Sequence, residues 1–163
     1  MTVGAKIREK NPNAIQDRIA AMKPVTLKVG IQGTEASRPH GAVTVADIAA
    51  IHEFGLGDVP ERSWLRGWYD ENEAEALERI QRGYRKVIAG EINTTTLMTA
   101  LGVWAVASIQ ERISKGISPP LESATIARKE SSVPLVDTGL FRSSITFVLS
   151  VDGNPVAGVV VNP

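Results

Sequence analysis

The densest hydrophobic pattern lies at residues 94–115. No charged residue stands between Glu91 and Glu111, and Leu97, Met98, Ala100, Leu101, Val103, Trp104, Ala105, Val106, Ala107 and Ile109 cover nearly every face of a 3.6-residue period. A helix apolar almost all round is normally a buried one. These residues would make a rod of roughly 33 Å, about the diameter of a small domain. A membrane span needs about 20 predominantly apolar residues, and here Asn93, Thr94, Thr95, Thr96, Thr99, Ser108 and Gln110 interrupt the run. The stretch is expected to be a central rod packed by the rest of a soluble domain.

The remaining pattern supplies the packing. Ile15, Ile19 and Met22 stand at helical spacing behind Asn13, a capping residue, so a short amphipathic helix is expected over 13–22. Val25, Leu27, Val29 and Ile31 then alternate with polar neighbours, as in a half-buried strand that Gly33 ends. Residues 34–41 read as a polar loop. Thr44 and Asp47 form a variant of the capping box and open a helix with Ile48, Ile51 and Phe54 on one side. Gly55 suits its left-handed C-terminal cap.

Asp70 and Glu73 make a second capping pair. The helix they predict has a stripe of Leu77, Ile80, Tyr84, Val87 and Ile88 and is closed by Gly90. Its acids (Glu71, Glu73, Glu75, Glu78) precede its bases (Arg79, Arg82, Arg85, Lys86), the order that the helix dipole favours. Glu75–Arg79 and Glu78–Arg82 are i,i+4 pairs, so the carboxylate cluster has a structural explanation. After Lys115, Pro119 and Pro120 forbid helix, 123–129 suit one or two helical turns, and 130–134 continue as polar loop. An excursion of about 20 residues in a compact domain is usually functional or mobile. Ile145, Phe147, Leu149 and Val151 alternate as a strand, 152–155 turn it, and 156–161 return as the second arm of a hairpin. The predicted fold is α+β: a small antiparallel sheet packed against two long helices, with a long loop excursion, in one domain over 1–163.

Composition narrows the function. A chain of 163 residues can bury a core without metals or disulfides. With no cysteine it has neither a disulfide framework nor a thiol nucleophile. Eighteen basic and 18 acidic residues cancel, whereas nucleic-acid binding usually shows as a basic face. The local excess in residues 1–28, six basic against two acidic, reads as a solvated helix face. The N-terminus lacks the apolar core of a secretion signal.

His52-Glu53 sets side by side two residue types of a zinc-protease helix. That motif needs a second His at position 56, which is Leu56. His52 therefore reads as a packing residue, and no metal is expected on His40, His52 and Asp58. Asp137-Thr138-Gly139 matches the aspartic-protease triplet over three residues only, and one copy would need a dimer to form the dyad. Without a phosphate loop or nucleotide fingerprint, the chain is read as a non-enzymatic protein with no cofactor. Between Val59 and Trp68, Trp64, Leu65 and Trp68 stand among Arg62 and Arg66. Three roles compete for them: pinning a loop to the core, a protein interface enriched in aromatics and Arg, or a platform for single-stranded nucleic acid.

Five blocks in order carry a resemblance: Ala50-Ile-His-Glu-Phe-Gly55, Val59-Pro-Glu-Arg-Ser-Trp-Leu-Arg66, Pro119-Pro-Leu121, Thr125-Ile-Ala-Arg-Lys129 and Pro134-Leu-Val-Asp-Thr-Gly-Leu-Phe-Arg-Ser-Ser-Ile145. Together they resemble the tail-completion or head–tail joining proteins of tailed bacteriophages, over residues 50–145. The chain departs from that pattern in Trp64, where Phe is usual, and in Phe141 after Leu140. The resemblance implies a virion structural protein, assembled in the host bacterial cytoplasm into a homo-oligomeric neck ring. Its partners would be neighbouring neck, portal-adaptor and tail proteins, with no specific nucleic acid and no membrane. A ring terminating the tail tube is the alternative within that class, and a nucleic-acid-binding module the alternative outside it. In such a ring the Trp64 region and the 117–134 excursion are expected to contact neighbouring subunits or the next ring. Arg62, Arg66, Arg128 and Lys129 would supply polar contacts there, with Trp64 and Trp68 as anchors if they are exposed.

Overall fold

A computed structural model describes residues 11–120 and 139–159. In chain order they form helix α1 (Ala14–Ala20), strand β1 (Val25–Gly30), the two-residue strands β2 (Pro39–His40) and β3 (Val43–Thr44), and helix α2 (Val45–Phe54). The long helices α3 (Arg66–Ala89) and α4 (Thr94–Lys115) follow. A four-residue helix α5 (Leu140–Ser143) then leads into strands β4 (Thr146–Val151) and β5 (Asn154–Val159). The fold is α+β, with α3 and α4 packed against a three-stranded antiparallel sheet of order β1–β4–β5.

The strand alternation fixes the register. Leu27 pairs with Leu149 and Val29 with Phe147, so these side chains share the face turned to α4. The β4–β5 hairpin turns on Asp152 and Gly153, both at positive φ, as a two-residue primed turn requires. Pro155 follows in β5, an edge strand, beside an irregularity between Leu149 and Ser150. An edge position tolerates its missing N–H.

Helix α4 has the bounds its pattern predicts, with Asn93 capping it through an N–H bond from Thr96 (2.8 Å). Its buried face is Leu97, Gly102, Ala105, Val106, Ile109 and Ile113. Gly102 admits the Phe147 ring so closely that a Cβ there would stand 2.7 Å from it. Gly83 of α3 meets Leu97 in the same way, which lets the two long helices approach. The rod is not covered all round, however: Thr96, Ala100, Val103 and Ala107 form an exposed stripe. Uniform apolarity hides such a stripe, because small residues cost little in water.

Other expectations shift. Loop 34–41 carries the β2 half of a small β2–β3 hairpin. The Thr44–Asp47 capping box and the left-handed Gly55 cap are both present. The buried face of α2, however, is Val45, Ala49 and Glu53, and Phe54 is exposed. Helix α3 begins at Arg66, not Asp70, which lies inside it. The expected turns at 123–129, the loop at 130–134, Asp137-Thr138 and the hairpin's last residues, 160–161, lie outside the described residues.

Candidate interface around the start of helix α3

Leu65 precedes α3 and has no side chain able to cap it. The cap comes from Glu53 on α2. Its carboxylate accepts hydrogen bonds from the Leu65 N–H (2.9 Å), the Arg66 N–H (3.0 Å), the Ser63 hydroxyl (2.8 Å) and the Arg66 Nε (2.8 Å). Ser63 Oγ in turn accepts the Gly67 N–H at 3.0 Å. A carboxylate suits the positive end of a helix dipole. Glu53 is only 5% exposed. Burial pushes its carboxyl upward, and the Leu65, Arg66 and Ser63 donors outweigh that, holding it below the usual carboxylate range.

Arg66 lies over the outer side of this cap. Its Nη2 donates to the Glu53 carbonyl (2.7 Å) and to Glu61 (2.8 Å), and its guanidinium covers the exposed Phe54 ring at 5.0 Å. Arg62 turns inward and is 3% exposed, donating from Nε to the Pro119 carbonyl (2.7 Å) and from Nη2 to the Pro120 carbonyl (3.1 Å). Its own N–H is bonded to the His52 carbonyl at 2.7 Å. Trp64, 3% exposed, donates from Nε1 to the Ala49 carbonyl (3.1 Å) and meets Phe141 edge-on at 5.3 Å. Trp68, 7% exposed, donates to Ser108 Oγ (2.9 Å) and lies against Trp104, which Arg79 covers from outside at 4.5 Å.

The structure therefore brings Arg62, Trp64, Arg66 and Trp68 into one region, but as the joint that binds α2, α3, α4 and α5 together. Exposure, the condition for Trp64 and Trp68 to anchor a neighbour, is not met, and Arg62 spends its guanidinium on backbone carbonyls of its own chain. Of these four only Arg66 faces solvent. Arg128 and Lys129 lie outside the described residues. Glu53, the centre of the joint, escapes sequence reasoning because a cap supplied from 12 residues upstream has no local signature.

Among the described residues no group of three or more His, Asp or Glu side chains is placed to hold a metal ion, and no helix is long and apolar enough to cross a membrane. The chain matches no family model, no curated protein and no solved structure.

Proposed function

We propose that the protein is a structural component of a tailed-bacteriophage virion, a subunit of the neck ring that joins the portal side of the capsid to the tail. The ordered blocks between residues 50 and 145 carry this reading. Their described parts also meet in space: Glu53 of the first block caps the helix that the second begins, and Arg62 of the second grips Pro119 and Pro120 of the third. Trp64 of the second abuts Phe141 of the last. Segments far apart in sequence thus act as one mechanical unit, which an ordered resemblance of fold requires. With Arg62, Trp64 and Trp68 inside, contacts to neighbours fall to Arg66 and to exposed apolar residues such as Phe54 and Leu56.

Electron microscopy of particles made without the protein tests the proposal. The expected result is DNA-filled heads beside unattached tails. Complete particles with tails attached would refute it, and tails of uncontrolled length would assign the chain to the ring that terminates the tail tube.

A further inference from the structure

A groove of about 370 Å³ runs between the second half of α3 and the first half of α4. Gly83, Ile92, Leu97 and Leu101 make its floor apolar. Arg79, Arg82 and Lys86 line one wall on successive turns of α3. The facing wall, Thr96 and Ala100, is uncharged and continues into the exposed Val103 and Ala107. Glu75 pairs with Arg79 at 2.7 Å and Glu78 stands 3.6 Å from Arg82. Lys86 lies one turn further on, and α4 offers no carboxylate before Glu111. Such a groove fits a helix face that is both acidic and apolar.

The chain carries such a face. Tyr69, Glu73 and Leu77 follow at four-residue intervals on α3, with Asp70 beside them, and Tyr69 and Leu77 are each 52% exposed. Intrahelical pairing accounts for Glu75 and Glu78, and the Tyr69 hydroxyl donates to Glu73 at 2.8 Å, but the Tyr69 ring and the Leu77 side chain stay half in water. At 3.6 residues per turn this face lies roughly 150° around α3 from the Arg79–Arg82–Lys86 row. Groove and projecting face are therefore on opposite flanks of one helix. We infer that the α3–α4 groove of one copy receives the Tyr69–Glu73–Leu77 face of the next, Asp70 and Glu73 meeting the basic row and Leu77 the apolar floor. The joint is heterologous, and repetition of a heterologous joint closes into a ring when its rotation permits. The inference deepens the neck-ring reading and rests on it for the setting in which copies meet.

Charge reversal tests it in the full chain, at positions where every altered side chain is exposed. Circular dichroism and urea unfolding first establish that D70K/E73K and R82E/K86E are folded. In sedimentation, the wild type should associate with concentration and dissociate as salt rises. Each variant alone should associate more weakly by on the order of tenfold or more, since like charges then face each other. An equimolar mixture should regain association, the two variants alternating, because the reversed face of one complements the reversed groove of the other. The variant carrying all four substitutions should associate again.

A wild type that stays monomeric, single-sided variants that associate as the wild type does, or a mixture that associates no better than either variant alone would each overturn the inference. The particle phenotype described above judges the neck reading separately. Unattached tails with a monomeric wild type would retain the neck role and remove this joint. The expected sedimentation pattern with normal particles would do the reverse.

Discussion

Removing the Glu53 carboxylate should be among the most destabilising single changes in the chain. Glu53→Ala deprives the Leu65 and Arg66 N–H groups of their acceptor, a loss of about 1 kcal/mol for each N–H on the scale of N-cap removal. The Ser63 hydroxyl loses its acceptor as well, adding about 1 kcal/mol. The Arg66 side chain is 54% exposed, so solvent screens its ion pair and it adds little to that sum. The expected loss is about 3 to 4 kcal/mol, a large share of the roughly 5–15 kcal/mol by which domains are stable. Glu53→Gln keeps the shape and one acceptor oxygen but turns an NH₂ toward N–H donors, and should cost about 2 kcal/mol. Urea unfolding followed by circular dichroism would show a lower midpoint at unchanged slope. A loss below about 1 kcal/mol in the alanine variant would refute the cap as the joint's centre.

The same carboxylate predicts a pH dependence. Its folded pKa lies below the ordinary value of 4.5. A depressed folded pKa contributes stability that is fully present above the unfolded pKa and lost as pH falls through the folded one. Wild-type stability should therefore drop as pH descends from about 4.5, and Glu53→Gln should flatten that segment of the curve.

Three further outcomes follow from the packing. Arg62→Met keeps an apolar stem but gives up the bonds to the Pro119 and Pro120 carbonyls. It should lose about 2 kcal/mol by urea unfolding, with Arg62→Lys recovering less than half, because an ammonium lacks the guanidinium fork. Gly102→Ala gains about 1 kcal/mol of helix propensity. It also sets a methyl 2.7 Å from the fully buried Phe147 ring, so net destabilisation of about 1–2 kcal/mol is expected in the same assay; a stabilised variant would show that the ring yields. A double-mutant cycle on Trp64→Leu and Phe141→Leu should return a coupling of about 1 kcal/mol for the edge-on pair, and strict additivity would mean the contact contributes area alone.

What was legible in the sequence was local. Thr44 with Asp47, Gly55 and Gly90 announce helix ends because each acts on backbone within four residues of itself. The alternation of Val25–Val29 and Phe147–Val151 announces strands because period two has few other physical sources. The start of α3 was misread for the same reason. Asp70 and Glu73 have the spacing of a local cap, yet a buried carboxylate on another helix caps the chain four residues earlier and carries the helix through Asp70. For Trp64, Trp68 and Arg62 composition left core pinning and a protein interface both open, and burial decides for the core. Aromatics beside arginine mark interfaces between molecules, and here they mark an interface between elements of one molecule.

Helix α4 makes the complementary point. A run with no charge from residue 92 to residue 110 suggests burial on every side, yet the flank that is left exposed is lined by Thr96, Ala100, Val103 and Ala107. A solitary domain gains nothing by keeping that flank uncharged. A lysine or glutamate at Ala100 or Ala107 would be nearly as good a helix former and more soluble. The flank borders the α3–α4 groove, where Arg79, Arg82 and Lys86 supply charge from one side only. An uncharged flank beside a basic row is the surface that a second helix with apolar and acidic residues would need. The proposed joint would account for the small side chains of α4 by close approach of a neighbouring copy, as close approach within the chain accounts for Gly83 and Gly102.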